Sequence, residues 1–345
     1  RRDMLPAPPG SADRIRHDFL SSLRRTLLDS SPDAIWAYAP GAAPARIDKT
    51  IQIAPHLFPS LSGWRSKVGF ILAGLREIAG AGARFLRGDW WAPVLLEDKI
   101  LLHYVARLPR DRIADTYIFH NADFIHRPLW THYVQRHGAN VVMAFYATNI
   151  ETFSTHPDHP RPIHAGYPGM TWPHYAVWDE VQAEFLCRAG QSETRMTTIG
   201  PIGFTDSDET MPELPRPYVA VFDVAAQRPA LMAARGIVHP YFEATVAIRF
   251  MTDVVDALDD LDLHLVVKQK RALGAQLSRS YGAFNRSLAA QSGVTAIDHT
   301  ISAHRLIADA VAVISYPFTS AALIGRALGK PSAFYDPLGA FEPEE

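Results

Sequence analysis

The residues best placed to do chemistry lie near the C-terminal end of the chain. Residues 313–331 read VISYPFTSAALIGRALGKP. An apolar stretch turns at Ser315-Tyr316-Pro317-Phe318, passes Thr319-Ser320 and enters a run of helix formers, with Gly329 and Pro331 as stop signals. This order predicts a strand, a tight turn and a helix whose first turn offers two hydroxyls and unpaired backbone N–H groups at its positive end. Such groups suit a phosphate or a carboxylate, and a plain capping role for Thr319 or Ser320 is the competing reading. Lys268, Lys270 and Arg271 follow another apolar stretch. With Ser315, Tyr316, Thr319 and Ser320 they form a candidate cradle for a phosphate-bearing donor, or else a solvated basic loop. Tyr316 and Phe318 would border its base or sugar, with a core role as the alternative for Phe318.

Two carboxylates stand at comparable places. Asp223 ends the apolar stretch 218–224, and Glu151 follows the stretch 141–146 after a short turn. A carboxylate at a strand end can serve as nucleophile or base; loop capping by Asp223 and surface charge at Glu151 are the bland alternatives. His120, Asn121, Asp123 and His126 follow a further strand-like segment and could line the other side of a site. His156, His159 and His164 lie among prolines at spacings that match no standard zinc pattern, so no metal is expected. Gly63, Gly80 and Gly82 form no dinucleotide fingerprint after a strand, which argues against a dehydrogenase.

These residues need elements to hold them. Short apolar runs predict strands over 34–38, 49–53, 116–120, 141–146, 174–178 and 197–202, with helices over 11–28, 98–108, 128–137 and 180–189. A polar segment, 205–217, reads as a linker. Alternation then restarts: strands over 218–224, 263–267, 294–297, 311–314 and 332–335, with helices over 241–258, 272–291 and 302–310. Strand–helix alternation on both sides of a linker predicts an α/β protein with two doubly wound, Rossmann-like domains facing a central cleft: 1–204, and 218–345, the latter with room for truncation. Residues 64–91 differ. They carry five basic side chains among apolar ones and end in Trp90-Trp91. The pattern fits a basic amphipathic helix on an anionic membrane surface, or one packed on its domain with a solvated basic face.

Composition narrows the field. With 345 residues, two domains are the natural expectation. Hydrophobic content of 48% and a net charge of −2 describe a globular protein with no global field for nucleic acid. Cys187 is the single cysteine, so no internal disulfide and no cysteine-based zinc site can form, and a reducing compartment fits. No secretory signal or apolar run of transmembrane length is visible, which suggests a cytoplasmic protein, peripheral at most on the inner membrane. The opening on Arg1-Arg2 and the acidic ending suggest part of a longer chain.

Tyr316-Pro317-Phe318-Thr319-Ser320 resembles the PFTS motif of bacterial surface-polysaccharide biosynthesis proteins. The two-domain pattern resembles GT-B glycosyltransferases. Tyr175-Ala176-Val177-Trp178, Ile199-Gly200-Pro201-Ile202 and the 219–224 stretch resemble segments of such enzymes. Leu265-Val266-Val267-Lys268 resembles the strand before a basic motif in sialyltransferase-like and Kdo transferases, with Gln269 and Lys270 where Pro and His are usual. The resemblance covers roughly residues 174–337. It implies a metal-independent, cofactor-free transferase that takes a nucleotide-sugar donor and passes the sugar to a glycan or lipid-linked glycan; the cations of the candidate site, which could hold a sugar carboxylate, make a CMP-activated ulosonic acid such as Kdo the first choice. The resemblance encourages pairing Asp223 with Glu151, one at the anomeric centre and the other moving the acceptor proton; His120, Asn121, Asp123 and His126 are acceptor-side candidates by their place after a strand-like segment. Asp206-Ser207-Asp208 spells the Asp-x-Asp of metal-dependent GT-A enzymes but falls in the linker. A nucleotide-sugar 2-epimerase, a CDP-glycerol-type phosphotransferase and a non-catalytic membrane-associated assembly factor are the alternatives.

Overall fold

The computed structural model describes residues 2–6, 34–38, 44–46, 51–120, 126–145, 147, 153–155, 167–200, 211–224, 226–234, 240–269, 274–299, 301–317, 319–339 and 341–343. The chain divides into two units, Arg1–Tyr146 with Ile163–Gly203, and Ala147–Pro162 with Phe204–Glu345. The expected helix over 11–28 lies outside the described residues.

Strands of the first unit are β1 (Arg2–Pro6), β2 (Ala34–Tyr38), β3 (Ala45–Arg46), β4 (Ile51–Ala54), β5 (Thr116–His120) and β6 (Asn140–Ala144). After β7 (Phe153–Thr155), which belongs to the second unit, come β8 (His174–Val177) and β9 (Arg195–Thr198). They form one sheet in the order β3-β4-β2-β1-β5-β6-β8-β9, parallel throughout except for β3. Every residue of β5 is buried, as a strand covered on both faces requires. The helix Leu129–Arg136 turns Trp130 and Val134 inward, and the Trp130 ring meets Phe58 edge-on at 4.9 Å and Tyr117 at 5.2 Å. β1 is absent from the strands expected from the sequence. Its Arg, Asp and Pro residues read as polar or strand-breaking. What holds it is position, since β2 and β5 pair with it from both sides.

The second unit contributes β10 (Tyr218–Phe222), β11 (His264–Lys268), β12 (Val294–Ile297), β13 (Ala312–Ser315), β14 (Ser332–Phe334) and β15 (Phe341–Pro343). Five of them form a parallel sheet in the order β12-β11-β10-β13-β14. This is the Rossmann winding, two strands added on one side of the first and then two on the other. The β4-β2-β1-β5-β6 part of the first sheet repeats it. The helix Ala244–Leu258 buries Val246, Ala247, Phe250, Met251 and Val254, one stripe at helical spacing; all but Ala247 join a core with Val219, Val221 and Leu265. The antiparallel pair β7–β15 accounts for Ala147–Pro162 falling with the second unit rather than with the N-terminal half, where the sequence reading put it.

Candidate active site

A Rossmann-wound sheet changes direction between its first and fourth strands, and ligands characteristically sit beyond the carboxyl ends there. In the second unit that switch point lies between β10 and β13. The register makes the rim explicit: Lys268 pairs with Phe222, Phe222 with Ser315, and Ser315 with Phe334. Lys268 and Ser315 are therefore the final residues of strands flanking β10, with their backbones about 10 Å apart across the sheet. Asp223 follows directly.

Asp223 is buried and accepts a hydrogen bond from the Tyr281 hydroxyl. Tyr281 lies on the helix Arg279–Ala289 and packs with Ala226 and Ala247. That helix is tied to the segment after Asp223, because the Ser278 N–H donates to the Ala226 carbonyl at 2.9 Å. Lys268 is also buried, and its ammonium donates to the carbonyls of His299 at 2.9 Å and Gln269 at 3.3 Å. It places a basic side chain on the rim while holding the loop after β12.

Ser315 is fully buried, and its hydroxyl has no hydrogen-bond partner among the described residues. Such a group costs about 1–3 kcal/mol, so its retention calls for a reason. Thr319 is buried and donates to the Tyr316 carbonyl at 3.0 Å, which closes the turn. Ser320 is the N-cap of the helix Ala321–Ala327, yet its side chain makes no capping bond. The Tyr316 side chain goes into the core. Its hydroxyl donates to the Tyr241 carbonyl at 2.9 Å and its ring meets Phe250 edge-on at 5.0 Å. Burial, followed by the carboxylates of Asp336 and Asp223, pushes this phenol well above its ordinary value. The turn is thus anchored from beneath by Tyr316, while Ser315 and Thr319 stand at its two ends.

The helix after the turn packs closely. A Cβ at Gly325 would lie 2.1 Å from Ser332 Oγ and 3.0 Å from Val313 Cγ2. The helix ends in a Schellman motif: the Lys330 N–H donates to the Gly325 carbonyl and the Gly329 N–H to the Arg326 carbonyl, both at 2.9 Å, with Gly329 at φ 70°.

In the first unit His120 ends β5 and is buried, and His126 is exposed. Next to it, Arg127 donates to Thr131 Oγ1 at 2.9 Å, to the Thr171 carbonyl at 3.3 Å and to Gln135. Glu151, Lys270, Arg271, Asn121, Asp123, Phe318 and the histidines at 156, 159 and 164 lie outside the described residues. Among the described residues no group of three His, Cys, Asp or Glu could hold a metal ion. Tyr281 escaped the sequence reading because it sits 58 positions from Asp223 on a helix with no motif of its own. Gly325 carried a signal, a glycine inside a helical run, but not what it faces.

A family model described as polysaccharide biosynthesis PFTS motif protein matches residues 69–345, roughly four fifths of the chain. The chain belongs to this family. The match includes the whole rim of this PFTS-motif protein, from Asp223 through Lys268 to Ser320. No curated relative matches the chain. Solved structures show distant likeness. The α,α-trehalose 6-phosphate synthase of Burkholderia multivorans aligns at 13% identity and TM-score 0.45, over 99% of this chain and 88% of that one. The UDP-GlcNAc 2-epimerase of Methanocaldococcus jannaschii aligns at 10% and 0.44, over 96% and 82%. A lipopolysaccharide outer core galactosyltransferase in its apo form aligns at 9% and 0.44, over 98% and 87%.

Proposed function

We propose that this PFTS-motif protein is a GT-B glycosyltransferase of surface-polysaccharide assembly. It takes a nucleotide-activated sugar at the rim of the second unit and passes the sugar to a glycan or lipid-linked glycan. One observation carries the reading: in a family of polysaccharide biosynthesis proteins, the switch point of a Rossmann-wound sheet gathers Asp223, Lys268 and Ser315 at neighbouring strand ends, with Thr319 in the turn that follows. The chemistry follows from those groups. As the bond between sugar and phosphate breaks, its electron pair leaves with the nucleotide, and the negative charge develops on a phosphate oxygen. The Lys268 charge, the Ser315 hydroxyl and the backbone N–H groups after Thr319 meet that charge, so in this reading no metal is needed. The acceptor hydroxyl attacks the anomeric carbon and gives its proton to a carboxylate. Asp223, oriented by Tyr281, serves the anomeric centre, and Glu151 takes the proton.

The donor we propose first is a CMP-activated ulosonic acid, because Lys268 is followed by Lys270 and Arg271, and a sugar carboxylate asks for cations. The test is turnover across CMP-, UDP- and GDP-sugars and CDP-glycerol, with and without a glycan acceptor and with and without EDTA. Transfer that survives EDTA and falls with Asp223→Asn is the expected result. Release of nucleotide with epimerised sugar, phosphoryl transfer from CDP-glycerol, or no turnover with any donor would each reject it.

A further inference from the structure

The helix Trp64–Phe85 turns its large apolar side chains away from the protein. It docks through small residues: Gly74 and Ala81 are the buried positions, and the Arg107 guanidinium donates to the Gly69 carbonyl at 2.9 Å. On the inner side Phe70 meets Tyr104 edge-on at 5.1 Å, and Glu77 accepts from His103 at 3.1 Å. At about 100° per residue, Trp64, Val68, Ile71, Leu72, Leu75 and Ile78 fall within about 120° of one another, opposite that docked side. They are exposed, Ile71 at 57%, Leu72 at 61% and Leu75 at 58%. Phe85 and Leu86 prolong the stripe, and Trp90 and Trp91, stacked at 4.0 Å and more than half exposed, close it. A stripe of about 33 Å along one helix far exceeds the scattered apolar residues of an ordinary surface.

Charge says what covers it. Residues 64–91 hold five basic and two acidic side chains, although the whole chain carries −2. Both acids are engaged, Glu77 with His103 on the docked side and Asp89 with Arg84. Arg65 and Arg76 fall on one border of the stripe and Lys67 on the other. A second copy of the chain laid face to face across a two-fold axis would bring these like-charged borders together. An anionic bilayer surface takes the stripe into its acyl boundary and the basic borders among its head groups, with tryptophans at the interface. We propose that the Trp64–Phe85 helix, with Trp90 and Trp91, is a membrane-docking face that lies in the plane of an anionic lipid surface. The proposal stands apart from the donor reading, since it concerns a surface of the first unit and the donor rim belongs to the second.

The experiment is co-sedimentation of the full chain with phosphatidylcholine vesicles, with and without phosphatidylglycerol, alongside tryptophan emission and size-exclusion chromatography. The wild type is expected to pellet with the anionic vesicles, less so as salt rises, with its emission shifted to the blue. Arg65→Gln with Arg76→Gln is expected to weaken that partitioning about thirtyfold. Leu72→Glu with Leu75→Glu is expected to abolish it while leaving the far-ultraviolet circular dichroism and donor turnover in solution unchanged. Failure to bind either vesicle overturns the proposal. So does a wild-type dimer that Leu72→Glu with Leu75→Glu turns into a monomer without any vesicle binding, which would make the face an interface between copies. Absence of donor turnover in the wild type would speak against the transferase alone.

Discussion

Asp223 and Ser315 are polar groups buried at adjacent strand ends, where polar groups are costly unless they are used. Asp223→Asn keeps the shape of the side chain and removes its charge. Turnover is expected to fall about 100-fold or more, with donor binding little changed, as read from kcat and KM separately. Tyr281→Phe removes the donor to Asp223 and is expected to displace the pH profile of kcat more than the KM for the donor. If only stability changed, Tyr281 would have no part in orienting the carboxylate. The buried phenols set an alkaline limit. Burial, reinforced by the Asp309 carboxylate, pushes Tyr218 up to about 12. An unfolded tyrosine releases its proton near 10, before the folded one does, so this contribution is complete below about pH 10 and is lost as pH rises towards 12. Burial pushes Tyr117 and Tyr175 in the same direction, also to about 12. The urea midpoint is therefore expected to hold from pH 8 to about 9.5 and to fall by pH 11. A midpoint that stays level across that range would contradict the assignment.

At the scale of elements, the turn after β13 is held between a strand that ends in Ser315 and a helix that must approach it closely. Gly325 permits the approach. Gly325→Ala is expected to cost about 1–3 kcal/mol in urea unfolding, because the new methyl meets Ser332 Oγ and Val313. Ser332→Ala in the same chain is expected to return part of the loss, and a double-mutant cycle measures the coupling. Additive losses would mean that the helix moves as a body instead. The hydrophobic pattern made these elements legible beforehand. The strands over 34–38, 116–120 and 294–297 were expected with the bounds found, because short runs rich in apolar and β-branched residues read as strands along the chain, and 116–120 is in addition buried on both faces. β1, β3, β7 and β15 were not, since short or polar strands take their conformation from their neighbours. The helix expected over 272–291 spans only Arg279–Ala289, with a bridge between Gln227 and Leu277 ahead of it.

For the molecule as a whole, the second unit carries its own core and all five strands of its sheet within 218–334. A fragment of residues 204–345 is expected to unfold cooperatively in urea with α/β circular dichroism, having lost only the partner of β15; a non-cooperative transition would show that Ala147–Pro162 is needed for the fold. The sequence alone carried the fold class, the two-part organisation and the turn at Tyr316-Pro317-Phe318-Thr319-Ser320. Local propensity and apolar periodicity are written in neighbouring residues, so they can be read along the chain. It also carried the basic, apolar character of residues 64–91, which allowed either a membrane face or a packed helix. Tertiary structure alone decided which side of that helix looks outward, because small residues at Gly74 and Ala81 let it dock by the side opposite its large apolar ones. It alone sent Tyr316 into the core, joined Tyr281 to Asp223, and aligned Lys268 and Ser315 on one rim. Those contacts bridge dozens of positions, and only the register of parallel strands and the packing of helices across them determines which distant residues meet.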